Sequence, residues 1–251
     1  MRIGLIGAGN MGGALARGLG ESLLVADADP DRATALAAEV GGEAVNGNGE
    51  VGRRADLVIL AHKPAQLEEV AESLSEGEFA VASILGGTPI SALERAYPGR
   101  PVYRFMPNIA AEARQGVLCY APGQHVTEGP ETRVLELFGR LGVVVPLSDA
   151  LMDPATALMG CGPAFFALVV EALADAGVRH GLEQEQAVRL AAETMAGTAA
   201  MLREDGYDTA RLRQRVTSPG GSTARGLAAL ERGGVRAAFA DAVDAVAGAA
   251  R

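Results

Sequence analysis

The feature that most constrains this chain is a glycine triplet placed between a strand and a helix. Gly7-Ala8-Gly9-Asn10-Met11-Gly12 fits the pattern Gly-x-Gly-x-x-Gly, directly follows the apolar run Ile3 to Ile6 and opens the helical run Ala14 to Leu19. That context is what a dinucleotide-binding turn requires: the first glycine permits the tight turn, the second admits a pyrophosphate to the backbone, and the third lets helix and strand pack closely. The helix start then supplies free amides to the anion. A tight turn without a ligand is the competing reading. Asp27, at the end of the second strand and 20 residues after Gly7, stands where a carboxylate accepts hydrogen bonds from the adenosine ribose. An Asx turn leading into Pro30 accounts for the same residue. As a ribose ligand, Asp27 would repel a 2'-phosphate, and Asp29 and Asp31 deepen that repulsion, so the residues favour NADH over NADPH, with Arg32 offsetting part of the charge.

Up to about residue 147, short apolar runs alternate with helical patterns, as in an α/β chain with a largely parallel sheet. Strands are predicted at 2–6, 23–27, 56–61, 79–84, 101–105, 116–121 and 142–146, with crossover helices such as 31–40 and 65–74. Beyond Pro146 the β-branched runs stop and the chain becomes rich in Ala, Leu and Arg with helical period. The expected fold is therefore an N-terminal Rossmann-type doubly wound sheet, residues 1–147, followed by an all-α domain, residues 148–251. The apolar stretch 164–178 carries Glu171 and Asp175, falls short of a membrane span and reads as a buried helix. Alanine-rich helices bury little area each, so a second copy of the chain is the expected packing partner.

Twenty-two Lys plus Arg stand against 31 Asp plus Glu, a net charge of −9. No basic field exists to hold nucleic acid or an anionic membrane, so an anionic ligand has to be caught locally. Cys119 and Cys161 and the three histidines are scattered, which suggests neither a metal site nor a disulfide framework. With no signal-peptide pattern at Met1, the default compartment is a reducing cytoplasm. Lys63 is the only lysine. It closes the strand before it in Ala61-His62-Lys63-Pro64, at the carboxyl edge where ligands of doubly wound sheets bind, although a lysine by chance is the plain alternative. In the helical half, Thr217-Ser218-Pro219-Gly220-Gly221-Ser222-Thr223 precedes the helical run 224–230. Its free amides are suited to a small carboxylate, and the same segment also reads as a simple N-cap.

Taken together, Gly7 to Gly12, Ala61 to Pro64, Met106-Pro107-Asn108, Gly162-Pro163-Ala164, Glu171 to Asp175 and Thr217 to Thr223 resemble the pyrroline-5-carboxylate reductase family, from Met1 to about Val246. The resemblance implies reduction of 1-pyrroline-5-carboxylate to L-proline with NAD(P)H, a Rossmann domain, a helical dimerisation domain and an active site completed across a homodimer that often assembles further. Carried over by position, it implies cofactor contacts from Gly7, Ala8, Gly9, Asn10, Met11 and Gly12, from Asn48 on the adenosine side, from Ala61, His62, Lys63 and Pro64, and from the Leu85-Gly86-Gly87 loop. It places the nicotinamide near Pro107 and Asn108. Ser218, Gly220, Gly221 and Ser222 of the partner copy would hold the substrate carboxylate, and Thr223, the catalytic candidate, the ring nitrogen. Two segments depart from the family. Ile109-Ala110 stand where members have Thr-Pro, and Met159, Cys161 and Phe165 replace two serines and a tyrosine. These exchanges remove polar groups expected near the imine, which leaves a different cyclic imino acid, or a non-catalytic nucleotide-binding relative, as alternatives.

Overall fold

Ile3–Ile6 forms β1, and all four of its residues are buried, as expected of a parallel strand covered on both faces. This computed structural model describes residues 1–74 and 76–249, which form two compact units, 1–161 and 162–249. In the first unit, β1 is followed by α1 (Asn10–Leu19), β2 (Leu23–Ala26), α2 (Pro30–Val40), β3 (Glu43–Ala44), α3 (Asn48–Arg54), β4 (Leu57–Leu60), α4 (Leu67–Ser73), β5 (Ala80–Ser83) and α5 (Ile90–Ala96). Then come β6 (Val102–Pro107), β7 (Gly116–Pro122), α6 (Glu131–Gly139), β8 (Gly142–Pro146) and the short α7 (Met152–Ala155). The eight strands lie in the order β3-β2-β1-β4-β5-β6-β7-β8, parallel except for the β6–β7 pair. The order reverses between β1 and β4, and that switch point sets the ligand crevice at the carboxyl ends of the strands.

Two apolar clusters cover the two faces. Leu5, Leu15, Val25, Leu57, Ile59 and Phe105 belong to one, with Phe105 stacked on Phe138 at 3.9 Å between ring centroids. Ile6, Val51, Val58, Leu60, Leu74, Val81 and Leu93 belong to the other. Local chemistry starts and stops the helices as well. Asp29 caps α2 by accepting from the Asp31 amide, Pro30 occupies its first turn, and Gly41 ends it in the left-handed region.

The seven predicted strands are present within two residues at each end, and β3 is an eighth. Its two exposed residues, Glu43 and Ala44, carry no apolar signal. The sequence changes texture at 147–148, whereas the first unit runs on to Cys161. The reason lies on one face of β6. Alternation turns Tyr103 and Phe105 into one core, while Arg104 and Met106 face the other way. Arg104 pairs with Asp149, Met106 packs with Met152, and Asn108 donates to the Met159 carbonyl at 3.1 Å. The helical run after Ser148, which includes a π-helical turn at Thr156–Gly160, is thereby held along the strand.

The second unit contains α8 (Gly162–Arg179), α9 (Gln184–Glu204), α10 (Thr209–Arg215), α11 (Ser222–Arg232) and α12 (Val235–Ala249). α8 and α9 pack as a hairpin, with Ala174 and Ala187 buried. The expectation of a buried helix at 164–178 is corrected by the structure. Phe166, Leu168 and Leu173 are more than half exposed in the single chain, because small alanines line the hairpin seam and the large apolar side chains face outward.

Candidate active site

The loops after β1 and β4 meet at the switch point. Gly7 has φ +105°, and a side chain there would place its first carbon 2.5 Å from the Ala61 carbonyl carbon. A methyl group on Gly12 would overlap the Gly7 carbonyl oxygen. Both positions are therefore glycine for reasons internal to the fold. Gly9 differs: its φ of −74° suits any residue, and nothing lies within 4 Å of where a side chain would begin. It is also the N-cap of α1, without a side-chain cap and with no acidic residue in the first turn. The amides of Asn10, Met11 and Gly12 stand in that first turn, where an α-helix offers them no intrahelical acceptor. A bare helix start beside an open glycine is a cradle that an anionic pyrophosphate fits.

Asp27 extends from the end of β2 and is bound on both oxygens. Oδ2 accepts from the Ala8 amide at 2.6 Å and Oδ1 from the Asp29 amide at 2.9 Å. The Asx turn read from the sequence is present, and the carboxylate also ties the glycine loop to β2. Arg32, the nearby cation, lies 3.3 Å from Asp29. Asn48 begins α3 and donates to the Ser73 hydroxyl at 3.0 Å.

In the loop after β4, the Ala61 amide bonds the Ile6 carbonyl at 2.8 Å, joining the two loops. His62 Nδ1 lies 2.9 Å from the Lys63 carbonyl, so it carries the proton and leaves Nε2 as a buried acceptor without a protein partner. Burial holds the imidazole below its ordinary value, against the opposing pull of that carbonyl, so the ring is neutral near pH 7. The Lys63 side chain is exposed at the mouth of the loop, and Pro64 starts a 3-10 turn. After β5, the Ser83 hydroxyl accepts from the Leu85 amide at 3.2 Å, and Gly86 again faces open space. Pro107 ends β6 on the same edge. The Asn108 side chain is engaged on both sides, accepting from the Val117 amide at 3.2 Å and donating to Met159, so its first task is to fix backbone. Met159 is partly buried against the cluster of Met106 and Cys119, whereas Ile109 is exposed.

Sequence reasoning passed over the Arg104–Asp149 pair. Its signal was an arginine inside an otherwise apolar predicted strand. Among the described residues, no cluster of three or more His, Cys, Asp or Glu is arranged to hold a metal.

The second unit carries the other candidate group. Gly220 turns through φ +67°, Gly221 caps α11 without a side-chain bond, and the helix starts at Ser222, so Ser222 and Thr223 sit inside its first turn and are exposed. The Gly221 amide bonds the Ser218 carbonyl at 3.0 Å, closing the turn. The Arg225 guanidinium donates to the Gly220 carbonyl at 2.9 Å. Just before this turn, Arg215 pairs with Asp205. The Thr217 hydroxyl is buried without a protein partner.

Comparison with known proteins gives these two groups a family. A family model described as pyrroline-5-carboxylate reductase dimerisation matches residues 149–251. One described as NADP oxidoreductase coenzyme F420-dependent matches residues 2–85. The pyrroline-5-carboxylate reductase of Methanosarcina acetivorans is 39% identical, with 96% of this chain and 94% of that protein covered. This chain belongs to the pyrroline-5-carboxylate reductase family. The Mycobacterium tuberculosis reductase of strain H37Rv is likewise 39% identical over 97% of the chain and 94% of its own length. Among solved structures, the reductase of Coxiella burnetii aligns with a TM-score of 0.89 and 30% identity, covering 99% of this chain and 97% of that one. The Plasmodium falciparum reductase with NADP bound aligns with a TM-score of 0.84 and 28% identity, over 100% and 97%. Family membership thus spans both units, and the dimerisation match falls on the helices whose large apolar side chains are exposed.

Proposed function

We infer that this chain is an NAD(P)H-dependent oxidoreductase that reduces 1-pyrroline-5-carboxylate to L-proline. The observation that carries this reading is the pairing of family membership over the whole chain with a cofactor cradle that the fold itself does not explain, the bare start of α1 beside an open Gly9. The residues at the carboxyl edge would hold the cofactor: Gly7 to Gly12 the pyrophosphate, Asp27 and Asn48 the adenosine side, and Ala61 to Pro64 and Gly86 the nucleotide. Pro107 and Asn108 would border the nicotinamide. Bound there, the cofactor supplies a hydride to the carbon of the C=N bond.

Every other part of the task falls to the protein. The start of α11 clamps the substrate carboxylate through the Ser222 and Thr223 amides, with the Ser218 hydroxyl and the Gly220-Gly221 turn shaping the pocket. A charged acceptor on amide donors makes a strong, directional contact, and the helix dipole adds to it. The clamp fixes which face of the ring is presented. Thr223 Oγ1 accepts from the protonated ring nitrogen, keeping the proton on nitrogen while the adjacent carbon is electron-poor. When C–H forms, the C=N π electrons become the lone pair of the product amine. No strong general base is needed for this step.

Unit 162–249 is the self-association unit, and we propose a homodimer in which α11 of one copy completes the site of the other. The outward-facing Phe166, Leu168 and Leu173 support this reading. The run Asp149–Arg179 is long and apolar enough, by length and composition, to cross a membrane. It falls within the dimerisation match and carries Glu171 and Asp175, which favours a partner copy as its cover. Cys119 and Cys161 are unpaired thiols, in keeping with a reducing cytoplasm. For the cofactor we propose a preference for NADH, because the Asp27 carboxylate is fixed at the ribose end of β2 and Arg32 is paired with Asp29.

Steady-state oxidation of NADH and NADPH with pyrroline-5-carboxylate tests the reading. Imine-dependent oxidation is expected. Tight cofactor binding without turnover of five- or six-membered cyclic imines would establish a non-catalytic relative instead, and turnover confined to the six-membered ring would move the substrate.

A further inference from the structure

We propose that Arg104 and Asp149 are positioning residues for the nucleotide loop between β5 and α5. The inference rests on the cofactor reading above and extends it to residues that lie behind the crevice. The Arg104 side chain is only 3% exposed, yet it is charged. Its Nη1 donates to Asp149 Oδ1 at 2.6 Å, Nη2 lies 3.9 Å from Asp153 Oδ1, and Nε is buried without a protein partner. An apolar side chain on β6 would join this helical run to the sheet with no desolvation penalty, so adhesion alone is a poor explanation for a buried guanidinium.

The other oxygen of Asp149 shows what the pair adds. Oδ2 accepts from the amide of Ile90 at 3.1 Å, and Ile90 is the first residue of α5. A single carboxylate, its position set by Arg104, thus fixes the far end of the loop 84–89. At the near end, the Ser83 hydroxyl holds the Leu85 amide. Between the two anchors lie Gly86, which faces open space, and Gly87, in the left-handed region at φ +65°. Such a glycine pair has no side chains to hold its shape, so its geometry depends on its anchors. Arg104 and Asp149 are thus assigned a role through the Ile90 amide, on the loop that would face the cofactor.

Two variants separate positioning from simple adhesion. Asp149→Ala removes both contacts. Ile90→Pro removes the loop anchor and leaves the Arg104–Asp149 pair intact: Pro89, at φ −71° and ψ 158°, already has the extended geometry that a following proline demands, and the first helical position tolerates proline. Because the Ile90 side chain also packs against the cluster of Met106 and Met152, Ile90→Ala, which gives up that packing but keeps the amide, is its control. Fluorescence titration with NADH and NADPH, together with thermal melting, is the test. In Asp149→Ala and Ile90→Pro the cofactor Kd should rise roughly tenfold, the scale of loss when a binding element is misplaced, while kcat at saturating cofactor and imine stays within about twofold. Asp149→Glu should recover most of the affinity, and Ile90→Pro should melt close to Ile90→Ala, which should bind cofactor like the parent protein. An unchanged Kd in folded Ile90→Pro would overturn the proposal and leave the pair as a structural tie, even if Asp149→Ala fails to fold. A fall in kcat at unchanged Kd would overturn it as well. A parent protein that binds neither nucleotide would overturn the cofactor reading, and this inference with it.

Discussion

The glycine loop after β1 holds glycines of two kinds. Gly7 and Gly12 are fixed by the protein's own backbone, whereas Gly9 has an ordinary φ and open space around it. Substitution should therefore split stability from binding. Gly9→Val is expected to leave the melting temperature nearly unchanged while cofactor affinity falls by about a hundredfold, because its branched side chain would occupy the phosphate cradle. Gly12→Ala should instead destabilise the chain by roughly 1–3 kcal/mol, the range for a forced overlap in a packed region. Melting curves paired with NADH titration distinguish the two, and an unchanged affinity in Gly9→Val would remove the loop from the cofactor site. Asp27 makes a similar test at the other end of the nucleotide. Its carboxylate serves both as loop anchor and as the proposed selector, so Asp27→Ser should weaken both cofactors through the lost Ala8 contact, yet shift the NADPH/NADH ratio of kcat/KM towards NADPH through the lost charge. A constant ratio would place the selector elsewhere.

At the scale of elements, what was legible in the sequence is what has a local cause. The strands announced themselves as apolar runs because both faces of the sheet are covered, and the glycine loop did so by its position between β1 and α1. The candidate substrate turn was visible for the same reason, as glycines and hydroxyls before a helical run. What stayed hidden has a non-local cause. β3 is an exposed two-residue edge, recognisable only once β2 stands beside it. The attachment of residues 149–161 to β6 depends on the side-chain ladder of Arg104, Met106 and Asn108, which no spacing in the later segment reveals. The Asx turn at Asp27 could be read from sequence, but its second bond, to Ala8, spans two elements. The start of α11 carries its own prediction. Ser222 and Thr223 are exposed in the first turn of a helix that starts without a side-chain cap bond, so Thr223→Ala should keep helicity and cofactor affinity. Loss of a hydrogen bond to a charged nitrogen is expected to lower kcat/KM by about 10- to 100-fold, corresponding to roughly 1.5–3 kcal/mol. Full activity in folded Thr223→Ala would remove Thr223 from the site.

The whole molecule divides its stability unevenly, and that imbalance is the physical argument for a second copy. Unit 1–161 encloses its sheet between two apolar clusters. In unit 162–249 the buried apolar side chains among the described residues are Ala174, Ala187 and Leu212, two of them alanines, while Phe166, Leu168, Leu173, Leu190 and Leu230 are each more than half exposed. Each large apolar side chain covered on association contributes about 1.5–3 kcal/mol, so a handful of them outweighs what the alanine seam of α8 and α9 supplies within one chain. The helical unit is thus expected to be stable as part of an assembly, with its folding tied to protomer concentration. Placing charge on that surface tests the consequence. Leu168→Glu combined with Leu173→Glu should reduce the mass seen by light scattering to that of the single chain, or leave the helical unit unfolded by circular dichroism. In either case imine turnover should be lost, because α11 would no longer reach a partner, while NADH binding by the N-terminal unit should persist, since its cradle is built from residues of its own core. A double variant that remains an active dimer would place the interface on another face of the helices, and a wild-type monomer with full turnover would show that a single chain completes its own site.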